Sequence, residues 1–358
     1  MDAAERVYKT DAVDRMLLNA IQNHFPLEIR PYRTLGKAVG LAEDEAYRRV
    51  RRLRREGIIR RLGGIFDSRR LGYFSTLCAA KVPEEKILPL AEFLEGITGV
   101  THNYLRNHEY NVWFTLIAVS EEAVESILQQ VRAETGVPEI YSLPASRMFK
   151  INASFEFGLA DGENPAGEEP ERVVDVSLEE SEVDGQRPPE CASYRLEEED
   201  IVLIRVLQEN LPDSLTPYDV LAQEMEWPAE ELIARATRLL ETETMRRFGG
   251  ILRHRKAGFL ANAMGVWQAE PEKAAGAGKI MARFKEVSHC YQRPALPDWP
   301  YSLFTMIHGR TVQDCEKVME KIAEATGLDT YAMLFSTAEL KKSSMRYFLE
   351  ERSGPVGF

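Results

Sequence analysis

Cysteine is scarce: Cys78, Cys191, Cys290 and Cys315 are the 4 present, and none are spaced as a CxxC pair. That excludes a disulfide framework or a structural thiolate zinc site as the organising device, and makes a reducing cytoplasm the expected compartment. Long apolar runs are missing too. No window approaches the roughly 18 residues of a membrane span, and Met1–Lys9 lacks the basic start and apolar core of a secretion signal. No GxGxxG or P-loop occurs. What remains is an ordinary globular composition, 44% hydrophobic and 28% charged, in 358 residues, enough for two or more domains.

Net positive charge is also lacking. The chain carries 45 Lys and Arg against 57 Asp and Glu, a net charge of -12. Between Asp161 and Asp200 stand 15 acidic and 3 basic residues, a local excess as large as that of the whole chain, so the rest is neutral on balance. This stretch is rich in Pro and Gly and poor in large apolar residues. It cannot bury enough surface to offset the cost of ordering, and residues 158–196 are read as a linker.

The two sides of the linker are copies of one another. Arg60–Tyr73 (RRLGGIFDSRRLGY) and Arg246–Phe259 (RRFGGILRHRKAGF) share seven of fourteen positions at an offset of 186. Pro31-Tyr32 returns as Pro217-Tyr218, and His102-x-Tyr104-x-Arg106 returns as His289-x-Tyr291-x-Arg293. Phe114-Thr115 returns as Phe304-Thr305 after a three-residue insertion in the second copy. Chance does not keep this order, so the chain is a duplication or a fusion of two related subunits.

Each copy opens with helical spacing, in the first at Asp14–Ile21, Arg33–Val39 and Glu43–Arg55, followed by Gly57-Ile-Ile-Arg-Arg where a wing belongs. Three helices and a hairpin predict a winged helix-turn-helix. Beyond it, strands are expected over 75–82, 100–105, 112–119 and near 140–143, with helices over 84–94 and 121–134. That order predicts a ferredoxin-like βαββαβ sandwich. The expected class is α+β, a tandem repeat. Residues 1–72 are winged helix and 73–157 sandwich; after the linker, 197–258 and 259–345 repeat them, and 346–358 form a tail. The glycines Gly63, Gly64, Gly249 and Gly250 are expected to serve tight backbone turns.

A winged helix followed by βαββαβ resembles the Lrp/AsnC family, in both halves. Two functions are built on that architecture: DNA-binding regulators and siroheme decarboxylases. The longer motifs are similar to the second group. Tyr291-Gln-Arg293-Pro-Ala-Leu-Pro-Asp-Trp299-Pro-Tyr301-Ser-Leu-Phe304-Thr-Met-Ile-His308-Gly-Arg310 is similar to the signature of one decarboxylase subunit. Arg60–Tyr73, with Tyr104-Leu-Arg106-Asn-His108-Glu-Tyr110-Asn111-Val-Trp113-Phe114-Thr, is similar to the other. The chain resembles both subunits fused. The resemblance implies a carboxy-lyase that removes carbon dioxide from the C12 and C18 acetates of siroheme, giving 12,18-didecarboxysiroheme for the haem or haem d1 route. It implies siroheme, an iron tetrapyrrole, as substrate, with its decarboxylated products as the other partners. No further cofactor and no metal site are expected, nor a membrane partner. An intramolecular pseudo-dimer of the halves is expected, and a homodimer of whole chains is compatible with it.

The residues suit that chemistry. A macrocycle ringed by carboxylates needs an apolar slot and several cations. Losing carbon dioxide from a pyrrole acetate needs a proton donor. On a strand, alternate residues face one way, so His102, Tyr104 and Arg106 project together, as do His289, Tyr291 and Arg293. These six are the candidate catalytic residues, combining a titratable acid, a phenol and a fixed cation. A plain polar sheet face explains the same row. The candidate substrate-binding residues are Arg69, His108, Trp113, Arg246, Arg247, Arg253, His254, Arg255, Trp299, His308 and Arg310. For the arginines the bland alternative is a solvated basic face; for His308, a strand-end or core histidine; for the aromatics, core packing. Trp299, within the Pro-rich insertion 294–300, is expected at the macrocycle or its entrance. A histidine could equally ligate the iron.

Two rival functions fit part of the sequence. A regulator is supported by Arg48-Arg49-Val-Arg51-Arg52-Leu-Arg54-Arg55 on the would-be recognition helix. The second copy offers only Arg235 and Arg238 among acidic neighbours, so paired reading of two half-sites is lost and DNA is not the expected partner. A haem-type sensor without catalysis uses the same pocket.

Overall fold

The structure, a computed structural model, describes residues 10–151, 195–252, 261–296, 298–309 and 311–349. Almost all of the expected linker lies outside the described residues, as do Arg253, His254, Arg255, Arg310 and the end of the tail.

In chain order the first copy forms α1 (Ala12–Asn23), α2 (Pro31–Ala38), α3 (Glu43–Arg55), β1 (Ile59–Phe66), β2 (Phe74–Ala80), α4 (Glu84–Glu95), β3 (Val100–Arg106), β4 (Val112–Ala118), α5 (Glu121–Thr135), β5 (Ile140–Pro144) and β6 (Arg147–Ile151). The second forms α6 (Glu198–Leu207), α7 (Pro217–Met225), α8 (Ala229–Glu241), β7 (Met245–Leu252), β8 (Ala261–Trp267), α9 (Pro271–Ala282), β9 (Val287–Gln292), β10 (Leu303–Gly309), α10 (Val312–Thr326) and β11 (Tyr331–Lys342). Local chemistry sets these bounds. Asp11 accepts the Asp14 amide at 2.7 Å while Asp14 accepts the Asp11 amide at 3.2 Å, a capping box that starts α1. Thr311 and Asp314 do the same for α10. Gly136 and Gly327, at φ 64° and 68°, end α5 and α10 in the left-handed conformation open to glycine.

The chain divides into two compact units. The first joins the helical openings of both copies. Leu17, Leu18 and Ile21 of α1 are fully buried, as are Ala46, Val50 and Leu53 of α3. The strand after each third helix does not fold into a hairpin within its own copy. Instead β1 pairs antiparallel with β7 of the other copy, with Gly63 opposite Gly249. The glycines therefore stand in extended strands rather than turns. A Cβ on Gly63 would come within 2.7 Å of the Leu207 carbonyl, and one on Gly249 within 2.5 Å of the Ile21 carbonyl. Each glycine admits the backbone at the end of the other copy's first helix. The arginines of α3 are already paired. Arg49 reaches Asp11, Asp14 and Glu45 at 2.7–2.9 Å, Arg52 reaches Asp14 at 2.5 Å, and Arg51 reaches Asp213 at 2.7 Å.

The second unit holds both ferredoxin-like parts, with strand order β5-β2-β4-β3-β11-β8-β10-β9-β6. The exchange at its seams is symmetric. β11 pairs with β8 of its own copy through Tyr331–Phe335, then with β3 of the other copy from Ser336 onward. In the first copy, β5 pairs with its own β2, and β6 crosses to β9 of the second. The expected pairing of the halves through their sheets takes this form. Helices α4 and α5 cover one sheet around Leu90, Leu94 and Leu128, and α9 and α10 cover the other around Met281, Met319 and Ile322. A third cluster lies on the faces turned away from the helices and includes Trp113, Met264, Val266, Trp299 and Phe304. Among the described residues no helix is long and apolar enough to cross a membrane.

Candidate functional site

The pleat decides what each central strand presents. Tyr104 lies opposite Trp113, and Tyr291 lies opposite Phe304, both in the cluster away from the helices. His102, Tyr104 and Arg106, and separately His289, Tyr291 and Arg293, therefore share that face. The two rows are built alike. The His102 and Tyr104 rings stack with centroids 6.3 Å apart and the His289 and Tyr291 rings at 6.1 Å. Arg106 lies over the Tyr104 ring at 5.6 Å, and Arg293 over the Tyr291 ring at 4.8 Å.

Both guanidinium groups are buried and tied across the repeat. Arg106 Nη1 donates to the Leu334 carbonyl at 2.9 Å, and Arg293 Nη1 donates to the Leu143 carbonyl. The Nε atom of each is buried with no hydrogen-bond partner. Burial pulls the pKa of both down to about 10. Arg106 thus holds β11 and Arg293 holds β5 of the other copy, and each keeps one donor unused.

A hydroxyl stands immediately before each histidine. Thr101 Oγ1 lies 3.0 Å from His102 Nδ1, and Ser288 Oγ lies 2.8 Å from His289 Nδ1. Among the described residues only the second copy adds a further imidazole: His308 Nε2 is also 2.8 Å from Ser288 Oγ. By the register of the ladders the corresponding residue of β4 is Ile117. Burial pulls the His308 pKa down to about 4, helped by the charge of Lys342, so this ring is neutral at physiological pH. The sequence reading missed Ser288 and Thr101, although the hydroxyl recurs when the copies are aligned.

The rows differ in what lies beside them. In the first copy, β11 sets Glu339 opposite Tyr104 and Lys342 opposite His102, with the Tyr104 hydroxyl 3.5 Å from the Glu339 carboxylate. In the second, β6 sets Met148 opposite Tyr291 and Ile151 opposite His289. The neighbouring strand is apolar at these two positions of the second row, although the charges of Lys342 and Arg69 reach His308 and Tyr291.

Trp299 is not at an entrance. It is 1% exposed and packs among His108, Tyr110 and Trp113 of the first copy, with ring centroids 5.2–5.3 Å away. Its Nε1 is buried without a hydrogen-bond partner. Two contacts hold the insertion in place: the Tyr110 hydroxyl donates to Asp298 at 2.7 Å, and Lys81 reaches the same carboxylate at 2.5 Å. Trp113 is 1% exposed in the same cluster. His108 accepts the Tyr110 amide at 3.1 Å, and burial lowers its pKa. Of the residues expected to contact the macrocycle, Trp113 and Trp299 are buried in an aromatic core cluster, and His108 packs at its half-exposed edge.

Of the remaining candidates, Arg69 lies close enough to Tyr291 for the two to interact electrostatically, and the others lie elsewhere or outside the described residues. Both Nε and Nη2 of Arg69 donate to Asp67, at 3.1 and 2.7 Å, so its fork is occupied. Arg247 donates to the Gln22 carbonyl and is partly buried, while its neighbour Arg246 is exposed. Both belong to the unit that holds the helical openings. Arg253, His254, Arg255 and Arg310 lie outside the described residues. Among the described residues no cluster of His, Cys, Asp and Glu forms a metal site.

Comparison with known proteins gives this geometry a context. Residues 70–150 and 256–341 match the family model of the AsnC-like ligand binding domain. Residues 14–60 and 200–246 match that of the siroheme decarboxylase NirDL-like HTH domain. The chain is 34% identical over 336 residues to the siroheme decarboxylase of Hydrogenobacter thermophilus, covering 94% of this chain and 95% of that one. It is 54% identical over 145 residues to the siroheme decarboxylase alpha subunit of Nitratidesulfovibrio vulgaris, covering 40% of this chain and 82% of the subunit. A crystal structure of the siroheme decarboxylase NirDL in complex with an iron-uroporphyrin III analogue superposes with a TM-score of 0.67 at 29% identity, covering 95% of both chains.

Proposed function

The chain belongs to the siroheme decarboxylase family, and from that membership we propose that it removes carbon dioxide from the C12 and C18 acetates of siroheme, giving 12,18-didecarboxysiroheme. The observation that carries the assignment of the working site is the pair of imidazoles, His289 and His308, on one hydroxyl of the second copy.

Each decarboxylation exchanges a carboxylate for a proton. Protonation of the ring carbon beside the acetate makes the macrocycle an electron acceptor. The carbon–carboxylate bond then breaks, and its electron pair forms an exocyclic methylene as carbon dioxide leaves. A proton added to the methylene gives the methyl group, and the ring carbon returns its proton. The net demand is one proton per acetate and no further cofactor. His289 is the assigned donor, and Tyr291 stacks beside it. The unused Nε–H of Arg293 suits a substrate carboxylate. Met148 and Ile151 supply the apolar margin that disfavours a bare carboxylate and so favours its loss. In the first copy the Tyr104 hydroxyl is engaged by the Glu339 carboxylate, itself paired with Lys342 at 3.7 Å, and Ile117 stands where His308 stands in the second, so His102, Tyr104 and Arg106 are assigned to binding support rather than turnover. Arg310, which lies outside the described residues, is carried from the sequence alone as a candidate for a rim carboxylate.

Anaerobic incubation with siroheme tests this. The product should weigh less by two carbon dioxides and show new methyl resonances at C12 and C18. A pigment that binds tightly and keeps its mass would make the chain a haem-type sensor; no binding and no turnover would overturn the reading.

A further inference from the structure

The single hydroxyl of Ser288 faces three possible acceptors. His289 Nδ1 and His308 Nε2 are each 2.8 Å away, and the Met306 carbonyl is 3.3 Å away. One O–H cannot serve all three, so at least one imidazole must turn a protonated nitrogen towards Ser288. A residue with two lone pairs and one proton is what this junction requires; an apolar residue would leave two imidazole nitrogens without their shared partner. Ser288 itself is 8% exposed, so water has little room to replace the hydroxyl.

We propose that Ser288 is a positioning residue for the decarboxylation: it fixes the tautomers of His289 and His308 together and turns the Nε2 edge of His289 to the face shared with Tyr291. This rests on the assignment of turnover to the second copy. Once His308 is neutral, donation of its Nε2–H to Ser288 leaves the hydroxyl proton for His289 Nδ1 or for the Met306 carbonyl. In either arrangement the orientation of one imidazole is coupled to that of the other. The charge of Lys342 on β11 acts on His308. The repeat supplies an internal parallel, since Thr101 holds His102 Nδ1 at 3.0 Å with Ile117 where His308 would stand. A threonine hydroxyl therefore performs half of the task in the same fold.

The test uses the full chain with Ser288→Ala and Ser288→Thr. Ser288→Ala should lower kcat on siroheme at least tenfold while KM stays within twofold. Ser288→Thr should recover kcat to within about threefold of the parent. Imidazole nitrogen chemical shifts of the unliganded chain should show His289 and His308 each changing tautomer ratio in Ser288→Ala and not in Ser288→Thr. Full activity in Ser288→Ala, unchanged imidazole spectra in it, or a threonine variant as impaired as the alanine one would each overturn the proposal. If Ser288→Ala does not fold, the threonine variant alone decides, by its kcat and its spectra. A parent chain inactive on siroheme would instead overturn the function, while the spectra would still judge the tautomer assignment.

Discussion

The buried guanidinium of Arg106 donates to the carbonyl oxygen of Leu334 at 2.9 Å, and no acidic side chain among the described residues pairs with it. One copy's polar row is thereby fastened to the last strand of the other, by a cation placed where cations are unfavourable. Arg293 ties the second copy's row to Leu143 of β5 in the first. Such groups are retained where they serve a ligand, and a ligand rimmed with carboxylates is what they would serve.

A trade between stability and binding follows. An unpaired buried cation costs several kcal/mol, more than the ~1.5–3 kcal/mol of its bond to a carbonyl. Arg106→Met should therefore raise Tm by at least ~2 °C, and Arg293→Met should weaken siroheme binding tenfold or more. Calorimetry and absorbance titration check the two. A large fall in Tm for Arg106→Met would mean that the arginine is a structural strut only.

His308 sets a pH dependence. Its pKa is near 4 in the folded chain against an ordinary 6.5, so the unfolded chain takes up a proton first as pH falls. Stability from this site is complete above pH 6.5 and is lost as pH drops towards 4. Between pH 7 and pH 5 the loss should be about 2 kcal/mol. Urea unfolding at both values, for the parent and His308→Gln, measures it; equal slopes in the two chains would remove His308 as the cause.

The aromatic cluster around Trp299 predicts a graded response. Trp299→Ala empties a fully buried site and should cost ~3–5 kcal/mol. Trp299→Phe also removes the unpartnered indole N–H and should cost less than half as much. Chemical denaturation of both variants gives the comparison, and equal losses would show that the indole nitrogen carries no penalty.

The arginines of α3 are committed within the protein. Arg49 and Arg52 share the buried Asp14 carboxylate, and Arg235 of the second copy reaches Glu197 and Asp200. Duplex DNA should bind no better than non-specifically, with a Kd weaker than about 10⁻⁶ M at physiological salt. Fluorescence anisotropy across a salt series reads this out; a specific, tight complex would restore the regulator function.

Much of this arrangement was legible from residues alone. The repeat offset exposed two copies, and period-two spacing put each His, Tyr and Arg on one face. Pairing between copies was not legible, because periodicity shows that a strand exists and not which strand it joins. Hence β1 was read as part of a hairpin and β6 was overlooked. The Pro-rich insertion looks like a surface loop, which puts Trp299 at the macrocycle or its entrance; Tyr110 and Lys81, which anchor the insertion through Asp298, stand 188 and 217 residues from that carboxylate. Ser288 escaped notice because a serine on a strand carries no signal until two histidines are seen to meet it.

Single-turnover decarboxylation of siroheme by His289→Ala and His102→Ala, compared with the parent, tests the central claim most directly. The account predicts that His289→Ala loses at least a hundredfold in rate while His102→Ala stays within about tenfold. Loss of turnover in His102→Ala with retention in His289→Ala would place the chemistry in the first copy and contradict it.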